Sequence, residues 1–461
     1  MKNLLFFAFL VFWFGSCTSS ETLSVIDGTW ERGKPGSVKL FRTENGQMKE
    51  ISSYQPDETG KFYFAFAPEK EAFYTIGIHN RNVHSYVFYF KPGDRLSVVI
   101  NDTSYTLTGK NTPENVEMER WHNYVFPLER KSLYFQNGAS TYVDFFPELT
   151  EKEGKYKQEY TSNATFNKAF QNLQQYDMTL YAVNFLFTPR RAHPAQSEYP
   201  DFYSRVDIPA LTTAGLLDYP GATPLLRALR MFGAQQAMKG LSAEEKQAQG
   251  ARISSVKNFL SSVSDDTLKG EIVLEEAATL KSYPGVIAFE EQYGKYLITE
   301  SQKKRFEDIR NSVANFAQGQ PAIDFTFPDI NGKKVSLSDF KGKIVYVDVW
   351  ATWCGPCKAE IPHLKKLEKE YHNKDVVFLS VSTDKEKDKQ KWLDFVKAEA
   401  LSGVQIFGGD QAGRSLMTPY KITSIPRFML FDRAGNIITT DALRPSSPEI
   451  RPILDAALKG K

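Results

Sequence analysis

From Leu23 to about Lys110, apolar and polar positions alternate with the two-residue period of half-buried strands. The alternation is plain in Lys61-Phe62-Tyr63-Phe64-Ala65-Phe66 and again from Tyr86 to Phe90. Turns are signalled at Asn45-Gly46, Thr59-Gly60 and Pro92-Gly93-Asp94. At least five short strands at such spacing predict a small sandwich or open barrel. Beyond Asn111 the period becomes helical. Phe166–Asn184, Pro224–Lys239, Glu244–Val263 and Asp265–Lys281 read as helices, separated by breaks at Pro189–Pro200 and Tyr219-Pro220-Gly221. Tyrosine and phenylalanine recur there at packing positions. No repeat, glycine-rich phosphate loop or paired-carboxylate pattern is visible in this region.

From Gln318 the two periods alternate. Lys343–Trp350 and Val376–Ser382 are apolar strands, and Cys354–Tyr371 between them sets Ile361, Leu364, Leu367 and Tyr371 on one helical face. Lys385–Ala400 predicts a second helix and Glu449–Leu458 a last one. Phe428–Phe431 and Ile437–Thr440 flank a hairpin turn at Ala434-Gly435-Asn436. The chain therefore reads as multidomain: a signal segment at 1–16, an all-β domain at 17–112, a mainly α region at 113–317 and an α/β domain at 318–461.

Length and composition agree. The 461 residues allow about three domains. With 41% apolar and 24% charged residues, a disordered chain and a multi-span membrane protein are both excluded. A net charge of +2 leaves no electrostatic footprint for nucleic acid. His79 and His84 have no metal-ligand spacing around them and read as ordinary strand or loop residues. At the N-terminus, Lys2 precedes an apolar run of eleven residues, Leu4 to Phe14, then Gly15-Ser16-Cys17. Such a run rises only about 16 Å as a helix, half a bilayer core, so a cleaved secretory signal is expected. The Phe14-Gly15-Ser16-Cys17 tail resembles a bacterial lipobox, which implies acylation of Cys17 and a membrane tether in an oxidising envelope compartment.

Only three cysteines exist, Cys17, Cys354 and Cys357, so a disulfide-stapled scaffold is excluded. A C-x-x-C pair has several uses. A zinc site needs two more ligands, and His363 and His372, nine helical positions apart, face opposite sides. Covalent haem attachment needs histidine where Lys358 stands. A static disulfide closing so short a loop would add little. As a reactive pair, Cys354 sits at a helix N-terminus, where free N–H groups and the helix dipole favour a thiolate, and Cys357 lies one turn on.

The segment Val347-Asp348-Val349-Trp350-Ala351-Thr352-Trp353-Cys354-Gly355-Pro356-Cys357-Lys358 resembles the active-site segment of the thioredoxin family. Cys357-Lys358-Ala359-Glu360-Ile361-Pro362 resembles its TlpA and ResA branch. The resemblance covers residues 319–461, including a hairpin-like opening at Gly319–Phe325 and Leu337–Phe340. It implies Cys354 as nucleophile and Cys357 as resolving thiol. It further implies Asp348 as a buried acid that takes the resolving thiol's proton, and Glu360 as a group that tunes the thiols. A strand-end Asp348 reaching solvent and an exposed, idle Glu360 are the plain alternatives. Thr423-Ser424-Ile425-Pro426 matches the family's cis-proline position, which would present the Ile425 backbone to substrate. Trp353 is either a docking surface beside Cys354 or a packing residue. The first domain resembles the β domain that precedes TlpA-like modules in lipid-anchored envelope proteins; the middle region has no such likeness.

The expected function is a membrane-anchored thiol–disulfide oxidoreductase facing the periplasm of a bacterial cell envelope. It would reduce disulfides of client proteins with electrons from an upstream redox donor, and need no cofactor or metal beyond its own disulfide. Alternatives are a thiol oxidase, a thiol peroxidase (although Ala351 stands where peroxiredoxins carry threonine) and a non-catalytic client-binding lipoprotein.

Overall fold

In β4 (Lys61–Phe66), Phe62 and Phe64 are buried while Lys61, Tyr63 and Ala65 face solvent, so the alternation in the chain becomes the two faces of a sheet. β4 pairs with β1 (Ser24–Trp30), which runs parallel to β7 (Arg95–Ile100); β8 (Tyr105–Leu107) closes that four-stranded sheet. A second sheet has the order β3 (Gln47–Tyr54), β2 (Val38–Glu44), β5 (Ala72–Gly77), β6 (Ser85–Phe90). Ile26, Phe62 and Val98 of the first sheet share one core with Leu40, Ile76 and Phe88 of the second. That makes a β-sandwich.

The computed structural model describes residues 22–31, 36–78, 85–101, 103–133, 142–188, 194–246 and 256–460. The signal segment, Cys17, His79 and His84 lie outside the described residues. The chain forms two compact units, Met1–Leu268 and Lys269–Lys461.

Helices complete the first unit: α1 (Pro113–Leu133), α2 (Tyr142–Lys152), α3 (Ala164–Phe187) and α4 (Ala222–Ala237). α1 is fastened to β6 by Asn115. Its carboxamide accepts from the Tyr89 N–H and donates to the Tyr89 carbonyl, both at 2.8 Å, and so satisfies a backbone that has no further strand beside it there. Phe145 of α2 stacks on Phe185 of α3 at 3.8 Å between ring centroids.

The second unit begins with helices, among them α5 (Tyr283–Tyr293) and α6 (Glu300–Ser312). Then comes a small hairpin of β9 (Thr326–Pro328) and β10 (Lys334–Ser336). Its main sheet has the order β13-β12-β11-β14-β15, from β11 (Ile344–Trp350), β12 (Val376–Ser382), β13 (Val404–Phe407), β14 (Arg427–Phe431) and β15 (Ile437–Thr439). β11 runs parallel to β12 and antiparallel to β14. All seven residues of β11 are buried, which is why it reads as an apolar run. The crossover α7 (Gly355–Glu370) places Leu364 and Leu367 against Ile344 and Tyr346 of β11. α8 (Lys389–Ala398) and α9 (Ile450–Leu458) complete the thioredoxin-like α/β layers.

Candidate active site

β11 ends at Trp350 and α7 begins at Gly355, so the four residues between them fix where the sulfurs sit. Cys354 is the N-cap of α7. Its extended backbone (φ −84°, ψ 102°) leaves the Sγ to accept from the Cys357 N–H at 3.2 Å, one of the helix's free donors. Pro356 in the first turn costs no hydrogen bond there. Cys354 and Cys357 are joined by a disulfide with Cα atoms 5.3 Å apart. Both are 4% exposed, whereas Trp353 beside them is 64% exposed. An indole held open to water next to buried sulfurs is a surface feature and not a core one.

The two cysteines pack in one cluster with Trp350, Trp392 and Phe407, and the partly buried Ile425 lies against it. The Ile425–Pro426 peptide is cis. The next residue, Arg427, pairs with Val349 across the sheet and forms an ion pair with Asp441.

Asp348 lies two residues beyond Tyr346 on β11, hence on the face that carries α7. It is buried and does not reach solvent as a strand-end acid would. Burial first, then the negative charges of Glu360 and Glu368, push its carboxyl up to about 8. Glu360 is buried as well. Its carboxylate accepts from the Ser446 N–H at 3.0 Å and the Ser446 hydroxyl at 2.9 Å, with Arg444 at 3.8 Å, so it ties α7 to the loop before α9.

A folded-state acid that ionises near pH 8 in place of its ordinary 3.8 makes the fold lose stability as pH rises through that interval. The loss is absent below about 3.8 and complete above about 8. Asp348→Asn mimics the protonated form. It is expected to match the parent near pH 4 and to exceed it increasingly toward pH 9, by an upper limit on the order of 5 kcal/mol. Thermal unfolding of both proteins across that range measures the gap; a gap independent of pH would contradict the assignment.

One residue absent from the sequence reading holds the segment before Cys354. Asp384, fully buried, accepts from the Thr352 N–H (2.9 Å), the Thr352 hydroxyl (2.7 Å) and the Ser382 hydroxyl (2.7 Å). The Thr383 N–H donates to the Trp350 carbonyl at 2.8 Å, closing the same corner. Among the described residues no group of three or more His, Cys, Asp or Glu is placed to hold a metal ion.

A family model described as Redoxin matches residues 317–458. The thiol-disulfide oxidoreductase ResA of Bacillus thuringiensis subsp. konkukian (strain 97-27) is 34% identical over 120 residues, 26% of this chain and 66% of the relative. The chain thus spans just under two thirds of that protein's length. The thioredoxin-like protein YneN of Bacillus subtilis (strain 168) is 36% identical over 132 residues, 29% of this chain and 75% of the relative. A crystal structure of the thioredoxin domain of a thiol-disulfide oxidoreductase from Bacteroides vulgatus is 28% identical, covers 31% of this chain and 98% of its own, and superposes with a TM-score of 0.29.

Proposed function

Because this chain belongs to the thioredoxin-like family of thiol–disulfide oxidoreductases, in its TlpA and ResA branch, we propose that it is an envelope protein disulfide reductase tethered by a lipid on Cys17. The observation that carries the reading is the Cys354–Cys357 disulfide at the start of α7, with the Cys357 N–H directed at the Cys354 sulfur. That N–H and the helix dipole favour negative charge on Cys354 once the bond is reduced, which raises the fraction of reactive thiolate at neutral pH.

An upstream redox protein first supplies two electrons and two protons, converting the disulfide to two thiols. The Cys354 thiolate then attacks one sulfur of a client disulfide, and the client's other sulfur leaves as a thiolate. Cys357 gives up its proton and attacks the Cys354 sulfur. The client leaves with both sulfurs reduced, and the Cys354–Cys357 bond re-forms. Asp348 suits the role of proton acceptor for Cys357: a carboxyl pushed up to about 8 is close to the ordinary thiol value near 8.5, so the proton passes with little free-energy change either way. Glu360 raises Asp348 electrostatically and in this way tunes the pair. Exposed Trp353 would offer apolar contact to the client, and the Ile425 backbone, whose side chain packs against the cysteine cluster ahead of the cis Pro426, would pair with an extended client segment. The chemistry needs no cofactor beyond the disulfide.

The domain bounds read from the sequence belong to the same proposal: a signal at 1–16, a sandwich at 17–112, a helical region at 113–317 and the redox domain at 318–461. No helix of the described residues is long and apolar enough to cross a membrane. In this reading attachment rests on Cys17, the cysteine of the lipobox-like tail. With Cys17→Ser, protein expressed with its own leader is expected to move from the membrane fraction to the soluble one while keeping its activity per molecule. Continued sedimentation with membranes in high salt would refute the tether.

A further inference from the structure

The first unit has a partly open cavity between the sandwich and α1, α3 and the Tyr219–Gly221 turn, with a volume of about 70 Å³. One water takes ~10–15 Å³ on this measure, so there is room for roughly five non-hydrogen atoms. Much of its wall is aromatic, with Tyr105, Trp121 and Tyr219. Two carboxylates also line it, Glu129 from α1 and Asp177 from α3, and among the described residues no lysine or arginine does.

Asp177 accepts from the Trp121 indole N–H at 2.8 Å and the Tyr219 hydroxyl at 2.6 Å, both neutral donors. Glu129 lies 3.9 Å from His122 Nδ1. Burial drives that imidazole down to about 4, so at neutral pH it carries no compensating charge. Its other nitrogen meets the Ser104 hydroxyl at 3.3 Å and its ring stacks on Tyr105 at 4.9 Å. The carboxyls are pushed up, Glu129 to about 8 and Asp177 to about 6, by burial and, for Glu129, by the charge of Asp177. An independent sign of a missing partner comes from the walls. The hydroxyls of Tyr105 and Thr75, both of which line the cavity and are 2% exposed, are buried without any hydrogen-bond partner. Such groups are costly to leave unpaired in an interior.

We propose that this cavity binds a small organic ammonium ion, its charge toward Glu129 and Asp177 and its alkyl part against Tyr105, Trp121 and Tyr219. A carboxylate pair supplies the Coulomb attraction and the aromatic faces add cation–π attraction in a desolvated setting. The unpaired hydroxyl oxygens are acceptors for its N–H groups. A bare metal ion suits the site less, since the walls are aromatic and among the described residues no metal-binding group is formed. The site uses none of the dithiol residues and stands or falls separately from the proposed reductase activity.

Calorimetric titration of the full chain at pH 7 with n-propylammonium chloride tests it, with propan-1-ol as the uncharged ligand of the same size and sodium chloride as the ionic-strength control. Saturable 1:1 binding of propylammonium, at least tenfold tighter than propan-1-ol, is expected. Because Glu129 is largely protonated at this pH and the cation favours its ionised form, binding should release a proton, read from the dependence of the heat on the buffer's ionisation enthalpy. Glu129→Gln, shown folded by circular dichroism, should weaken binding at least tenfold and abolish the proton release. No saturable binding of propylammonium, equal binding of propan-1-ol, or undiminished binding by folded Glu129→Gln would each overturn the proposal. The comparison of the two ligands on the unmodified chain requires no variant to fold.

Discussion

Cys354→Ser is expected to lower insulin-disulfide reduction by about a thousandfold or more, to the level of the added reductant alone. Serine keeps the shape of the N-cap, and its oxygen still accepts from the Cys357 N–H, so the helix start should survive. What is lost is a sulfur that ionises near neutral pH; an alcohol is not appreciably ionised there. Cys357 is a poor substitute. It sits inside the first turn of α7, whereas Cys354 caps the open end of that helix, so a client disulfide cannot line up on Cys357 without displacing the first turn. Turbidity or fluorescence assays with insulin, run on both proteins with matched thermal unfolding, measure the ratio. A variant keeping more than about a tenth of the parent rate would contradict the role given to Cys354.

The largest effect away from the sulfurs is expected at Asp384. Asp384→Ala strands three buried donors at once: the Thr352 N–H, the Thr352 hydroxyl and the Ser382 hydroxyl. A buried donor left without a partner costs ~1–3 kcal/mol, and these share one cavity that water can partly refill, so a net loss of about 3–5 kcal/mol is expected. The effect is also local to the chemistry. Thr352 is two residues before Cys354, and the Ala351 carbonyl accepts from the Cys354 N–H at 3.0 Å. Loosening Thr352 therefore loosens the N-cap, and activity below the unfolding temperature should drop about tenfold or more. Asp384→Asn, which keeps one acceptor oxygen, should fall between parent and alanine on both measures. Equal stability of parent and Asp384→Ala would show that the three bonds hold nothing.

Much of the second unit was legible because its chemistry is contiguous. Residues 347–358 contain the strand end, the N-cap, the proline in the first turn and both sulfurs, so local order alone places them. The hairpin at Ala434-Gly435-Asn436 was equally plain, since Gly435 adopts a positive φ of 84° that few other residues tolerate. Strand alternation in 61–66 also translated directly into buried and exposed faces.

Long-range pairs were not legible. Asp384 is 32 residues from Thr352, and nothing about an aspartate after an apolar strand says that it turns inward. Glu360 is buried because Ser446, 86 residues away, folds over it, whereas helical spacing alone leaves it on either surface or core. In the first unit no paired carboxylates were visible, because Glu129 and Asp177 meet at one cavity from different helices. Asp177 is the one acid of α3, but Glu129 is one of four glutamates in α1, a pattern that ordinary solvated faces also give.

The central claim is that the sulfur at the start of α7 attacks and its neighbour one turn on resolves. The most direct measurement mixes reduced Cys357→Ala protein with disulfide-bonded insulin at pH 7, quenches with acid and maps the adducts by mass spectrometry. A persistent mixed disulfide on the peptide containing Cys354, one per chain and absent with the unmodified protein, is the predicted result. Unmodified Cys354 after prolonged incubation, with insulin left fully oxidised, would contradict the claim.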